Sequence, residues 1–171
     1  LILGDVIVPV PVIQGGMGVG VSRSRLAGAV AKEGGIGVIS TAQIGYDEEN
    51  FEKNPAECNR RAIIKHIAQA KEIAGGNGLV GVNIMVALKH YRQHIETAIE
   101  AGADVIICGA GLPVDLPGIA QNYALEHGKK IPKLMPIVSS ARAAGIILKM
   151  WDHHYHTCLL YTSDAADDRI S

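Results

Sequence analysis

The chain has 171 residues, enough to bury a core, and its 48% hydrophobic and 19% charged content excludes a disordered chain. A formal net charge of −1 offers no electrostatic case for nucleic acid or an anionic membrane surface, so neither is expected as a partner. Three widely spaced cysteines (Cys58, Cys108, Cys158) fit a reducing compartment, and no apolar run or signal-like opening suggests a membrane, so the protein is expected to be cytoplasmic.

The first apolar run, Val10 to Gln14, reads as a strand and ends in Gly15-Gly16-Met17-Gly18. Ser22 or Ser24 is placed to cap the helix that follows, through Leu26, Ala29 and Val30 to Lys32. Gly34-Gly35 stops it, and Ile36 to Ser40 reads as the second strand. Tyr46 to Pro55 is polar and acidic and reads as a surface excursion. Cys58, Ala62, Ile63, Ile67, Ala70 and Ile73 then recur at helical spacing until Gly75-Gly76. Leu79 to Met85 is the third strand, and a helix from about Tyr91 to Ala101 stops at Gly102. Asp104 to Cys108 is the fourth strand, Ile119 to His127 a weaker helix, and Lys133 to Val138 the fifth strand. Ser139-Ser140 caps a last helix over Ala141 to Trp151.

Five β–α units in a row imply a parallel sheet, because parallel neighbours need long crossovers and helices supply them. The strands are apolar on both faces, as strands buried between two layers must be. Periodicity alone leaves a closed barrel and an open doubly wound sheet as alternatives. From about Cys158 to Ser171 the sequence has neither helical nor strand period, and it is read as a non-native read-through tail behind a domain of residues 1–157.

Ligands of parallel sheets bind at the carboxyl ends of the strands. That directs attention to Gln14 to Gly18, Ser40 to Gln43, Asn83 to Met85, Cys108 to Gly111, and Ser139-Ser140. The run Gly15-Gly16-Met17-Gly18 lets backbone amides approach a flat ring, or is a plain tight turn. A dinucleotide fingerprint is excluded, since G-x-G-x-x-G is not present and no acidic residue closes the second strand. Asn83 interrupts an apolar run and must find polar partners, either a heterocycle edge or neighbouring backbone. Met85 faces the same way and reads as packing surface. Cys108, with no basic partner, reads as a buried inert thiol. Ser139-Ser140 serve a helix cap or a phosphate, and Arg142 reads as solvated. His66, His90, His94 and His127 are expected on solvated helix faces. The His153-His154-His156 tract sits at a helix end, which the dipole explains, so no metal site is expected. Neither a nucleophile–base pair nor a pair of carboxylates can be assembled.

Four segments in order and spacing carry a family resemblance: Pro11 to Gly18, Gly34 to Ser40, Gly81 to Val86, and Gly109 to Pro113. Together they resemble the nitronate monooxygenase (2-nitropropane dioxygenase) family, related to flavin-dependent enoyl-ACP reductases, and Val138 to Ala144 strengthens the match. The resemblance implies a parallel (β/α)₈ barrel of the TIM type, of which about the first five units are present, with FMN at its carboxyl-end face. It implies that Gly16, Met17 and Gly18 line the flavin ring, that Asn83 hydrogen-bonds it, and that Gly109 and Ala110 border the substrate. The implied activity is oxidation of a small-molecule alkyl nitronate with O₂ as co-substrate. The family's histidine, in a Gly-Gly-His segment after the sixth strand, has no counterpart here. No catalytic residue is therefore assigned, and the fragment is expected to be inactive alone. Two alternatives stay open: a flavin-dependent enoyl-ACP reductase on the same fold, and a non-catalytic half-barrel.

Overall fold

The computed structural model describes residues 1–156; the expected tail over 158–171 lies outside the described residues. Two short strands that no pattern announced open the chain. β1 (Ile2–Leu3) and β2 (Val6–Ile7) pair antiparallel, Ile2 with Ile7 and Leu3 with Val6. Then come α1 (Ser24–Lys32), β3 (Ile36–Ser40), α2 (Pro55–Ala74), β4 (Leu79–Met85), α3 (Tyr91–Glu100), β5 (Val105–Gly109), α4 (Leu116–His127), β6 (Lys133–Pro136) and α5 (Ala141–Tyr155). Strands β3 to β6 form one parallel sheet in sequence order, each joined to the next by a helix. This is the arrangement that the alternation of strand and helix patterns requires.

Local chemistry explains the best-defined helix. Asn54 accepts a bond from Glu57 N at 3.4 Å, Pro55 starts α2 where its missing N–H costs nothing, and Gly75 ends it with φ of 59°.

Two expected strands differ. Val10 to Gln14 lies extended along β3 but forms only one parallel bridge, Ile13 with Ile36. Val12 N is taken within the segment, by Val10 O at 2.7 Å, and is not given to β3, so a continuous ladder does not form. Three backbone bonds still hold the segment at the edge, Val10 N to Gly34 O at 3.0 Å, Ile36 N to Val12 O at 2.9 Å and Gln14 N to Ile36 O at 3.0 Å. The last strand stops at Pro136 rather than Val138, although Ile137 N still reaches Cys108 O at 2.7 Å.

The sheet separates two cores. On the helix side, Ile39, Val80, Val82, Ile84, Ile106 and Cys108 pack with Ile63, Ile67, Ile95, Ile147 and Trp151 from the helices. On the other side Ile36, Val38, Val105 and Ile107 pack with Val8, and Leu1, Leu3, Leu79 and Met135 adjoin them. The hairpin therefore covers the amino-terminal end of this inner face. Burying a single side chain of this size contributes roughly 1.5–3 kcal/mol. The opposite, carboxyl-terminal end of the inner face is left for other groups.

Candidate functional site

Register puts Ser40, Asn83, Ile107 and Met135 on one rung across β3, β4, β5 and β6. The rung is polar on its first two strands and apolar on the last two. Asn83 is half-buried, and among the described residues its side-chain amide makes no hydrogen bond. Its backbone carbonyl is held twice, by Thr41 N at 3.1 Å and Thr41 Oγ1 at 3.2 Å.

Over this rung lies the loop Gly15 to Gly18. A Cβ at Gly16 would stand 2.5 Å from Asn83 Cβ and 3.1 Å from its Cγ, so only glycine lets the loop rest on Asn83. Gly18 lies over Ala42 and Ser40, at ordinary van der Waals distance for a Cβ. The backbone N–H groups of Gly15, Gly16 and Gly18 donate to nothing among the described residues. Met17 is different: its N–H is taken by Ser22 Oγ at 2.9 Å.

Further along the same end, β4 and β5 bring Met85 opposite Gly109, and Val86 N donates to Gly109 O at 2.8 Å. Ala110 follows with φ of 54°. With Gly111, Leu112, Ile137, Val138 and Ser139 it lines a cavity of about 470 Å³. The structure thus brings Gly16 and Gly18 together with Asn83, and sets Gly109 and Ala110 apart, across Met85. Met17, Val19, Met85, Leu112 and Ile137 stay exposed around this end and give it an apolar rim. Val19, Gln43 and Ala110 all hold positive φ without being glycine, at 48°, 50° and 54°. Such conformations cost about 1–3 kcal/mol each and concentrate where a site demands a particular backbone.

The family model for nitronate monooxygenase matches residues 2–166. The chain belongs to the nitronate monooxygenase family. That is a family of flavin-dependent oxidoreductases. Among solved structures, the chain is similar to FabK from Thermotoga maritima and to its M276A mutant. Identities are 23% and 21% with TM-scores of 0.58 and 0.61, each over 82% of this chain. The likeness is one of fold, and it makes the four parallel strands and five helices part of a parallel (β/α) barrel. The chain spans 37% and 40% of the length of those two structures. No curated protein sequence matches it.

Several side chains sit otherwise than the sequence suggests. Neither Ser22 nor Ser24 caps α1, whose N-cap is Arg23, which makes no side-chain bond to the helix N-terminus. Ser22 serves the glycine loop, and Ser24 Oγ is 3.0 Å from His66 Nδ1 and donates to Gln69 Oε1 at 2.9 Å. His66 and His94, expected on solvated faces, are buried at 8% and 4% exposure. Burial, with Arg23 and Lys65 nearby, pushes His66 down, and burial, with His90 nearby, pushes His94 down to about 4. The reason is position: His66 meets the Ser24 hydroxyl at the start of α1, and His94 meets the Thr41 hydroxyl just past the end of β3. His127 is exposed, as expected. Ser140 does cap α5, accepting from Ala143 N at 3.2 Å. Burial pushes the Cys108 thiol up to about 12, which makes it a poor nucleophile.

Sequence reasoning gave no role to Thr41 or Gln14. Thr41 Oγ1 donates to Asn83 O, so it accepts from His94 Nδ1 at 3.1 Å, and these two residues support the Asn83 backbone from behind. A polar residue just past a strand end was the available signal for Thr41. Among the described residues no cluster of His, Cys, Asp and Glu could hold a metal ion, and no helix is long and apolar enough to cross a membrane.

Proposed function

We propose that the protein is an FMN-dependent oxidoreductase that oxidises alkyl nitronates, with O₂ as the terminal acceptor, in the cytoplasm. The observation that carries this is the half-buried Asn83 amide, without a protein partner among the described residues, lying beneath a loop with three free N–H groups. A half-buried amide without a protein partner has both donors and an acceptor to offer, and a heteroaromatic ring with alternating donors and acceptors at its edge would take them. The residues fit such a group. Gly16 admits no side chain, Gly15 and Gly18 offer amides, and Met17 and Met85 offer apolar surface for a ring face.

When bound, FMN supplies the redox chemistry, taking an electron pair from the substrate and passing it to O₂. The chain's own residues bind and orient. Asn83 fixes the ring edge by hydrogen bonding, and the loop amides favour negative charge nearby. Gly109 and Ala110 border the substrate, Ala110 in the cavity that it lines with Leu112 and Ile137 past the ends of β5 and β6.

The test is a titration of the protein with FMN, read by flavin fluorescence and absorbance, followed by anaerobic propyl-2-nitronate. Binding with bleaching by nitronate supports the reading. Bleaching by NAD(P)H with turnover of a crotonyl thioester, and none by nitronate, would assign the site to enoyl thioester reduction. Failure to bind FMN would reduce the chain to a non-catalytic barrel segment.

A further inference from the structure

The edge segment leaves the sheet in an unusual way. Gln14 N bonds Ile36 O, so the next rung of a parallel ladder would join Val38 N to the Gln14 backbone carbonyl. Instead Val38 N donates to the Gln14 side chain, to Oε1 at 3.0 Å. The side-chain amide stands in for one rung while the main chain turns out of the sheet to form the glycine loop. The other end of the same amide holds that loop. Gln14 Nε2 donates to Ser22 Oγ at 3.0 Å and to Gly15 O. Ser22 Oγ in turn accepts from Met17 N at 2.9 Å and donates to Gly15 O at 3.3 Å. Every donor and acceptor of the two side chains that this geometry needs is used, and Ser22 is 1% exposed.

We propose that Gln14, acting through Ser22, is the positioning residue of the flavin loop. The inference rests on the flavin reading of the site. The Gln14 side chain acts on the loop, through Gly15 O and Ser22 Oγ. It sets where the loop departs from β3, and the Ser22 hydroxyl fixes the Met17 peptide so that the Gly15, Gly16 and Gly18 N–H groups remain turned to the ligand. The pair divides the loop's amides into one held by protein and three kept for the cofactor.

Three variants separate the links. Ser22→Ala removes the acceptor of Met17 N–H and leaves the Val38 rung. Gln14→Glu keeps an acceptor for Val38 N–H and loses both donations into the loop. Gln14→Leu loses everything. Amide exchange of the protein without ligand should show Met17 unprotected in all three, and Val38 unprotected only in Gln14→Leu. FMN affinity should fall tenfold or more in each, with an altered visible circular dichroism of the flavin that still binds. In the Gln14→Leu/Ser22→Ala double variant the loss should be no larger than in the worse single one, because both act on one loop. Multiplying losses, or wild-type affinity and dichroism in Ser22→Ala and Gln14→Glu, would overturn the proposal. If the unmutated protein binds no FMN, the flavin reading fails. The exchange pattern then still decides whether Gln14 holds the loop, and a protected Met17 in Ser22→Ala would refute it.

Discussion

Gly16 and Asn83 are in direct contact, the backbone of one resting on the side chain of the other with no room for a methyl group between them. They are 67 positions apart in a chain whose strands bring them onto one end of one sheet. Gly16→Ala must push either the loop or Asn83 aside, an overpacking that costs about 1–3 kcal/mol. FMN affinity should drop at least tenfold. Gly15 is the control, since a Cβ there meets nothing within 4 Å. Gly15→Ala should leave the melting temperature within a degree or two of the parent. Equal effects of the two substitutions would separate the contact from its supposed role.

The backbone at the end of β5 gives a second expectation, with opposite signs at adjacent residues. Ala110 holds φ of 54°, which costs an alanine about 1–2 kcal/mol relative to glycine. Ala110→Gly should therefore be neutral to stabilising in urea unfolding, despite the added freedom of the unfolded chain. Gly111 has φ of 139°, and its Cβ would come within 2.9 Å of Val86 Cβ. Gly111→Ala should destabilise by more than about 1 kcal/mol. A destabilised Ala110→Gly would show that the strain assigned to Ala110 is absent.

How legible was this in the sequence? Strands β3 and β4 could be read to the residue, because Ile36 to Ser40 and Leu79 to Met85 are apolar runs bounded by glycines. The Val10 to Gln14 segment reads equally apolar, yet Val12 N bonds back to Val10 O and not to β3, a local turn that hydropathy does not register. The β1–β2 hairpin escaped because two-residue strands carry no period. Within the site, Asn83 stood out as a polar break in an apolar run, whereas His66 and His94 looked like surface residues. Their burial depends on Ser24 and Thr41, which lie 42 and 53 positions away. Helical periodicity contains no information about such partners.

His94 supplies a pH dependence with a definite sign. In the folded protein its pKa is lowered to about 4 by burial, while the unfolded chain keeps the ordinary value near 6.5. Above about pH 6.5 both states are neutral there, and His94 adds no pH dependence. As pH falls from about 6.5 toward 4, the unfolded state takes up the proton first, so stability is lost. Below about 4 both states are protonated and the loss levels off. It amounts to up to about 3 kcal/mol on the usual conversion of pKa shift to free energy. His66 adds in the same direction. His94→Gln should be less stable at pH 8, through its altered bond to Thr41, yet show a flatter decline in urea midpoint between pH 7 and 4.5. An unchanged slope would mean that His94 is not the group responsible.

Trp151 ties the last helix to the site. It is fully buried, and its indole Nε1 donates to Pro113 O at 3.0 Å across to the segment that follows Ala110. Proline has no N–H, so its carbonyl is that residue's one backbone polar group and must find a donor when buried. Trp151→Phe retains an aromatic ring, leaves the carbonyl only its longer bond from Leu116 N at 3.3 Å, and opens space where the second ring lay. The two losses together should cost about 2–4 kcal/mol. Because the bond anchors the segment from Ala110 to Pro113, the cavity beside Leu112 and Ile137 should loosen as well. Amide exchange at Gly111 and Leu112 should accelerate in Trp151→Phe, while the Gly15 to Gly18 loop on the far side of Met85 keeps its exchange rates and its FMN affinity. Equal acceleration at both places would instead mean that α5 stabilises the sheet as a whole and has no local hold on the β5 end.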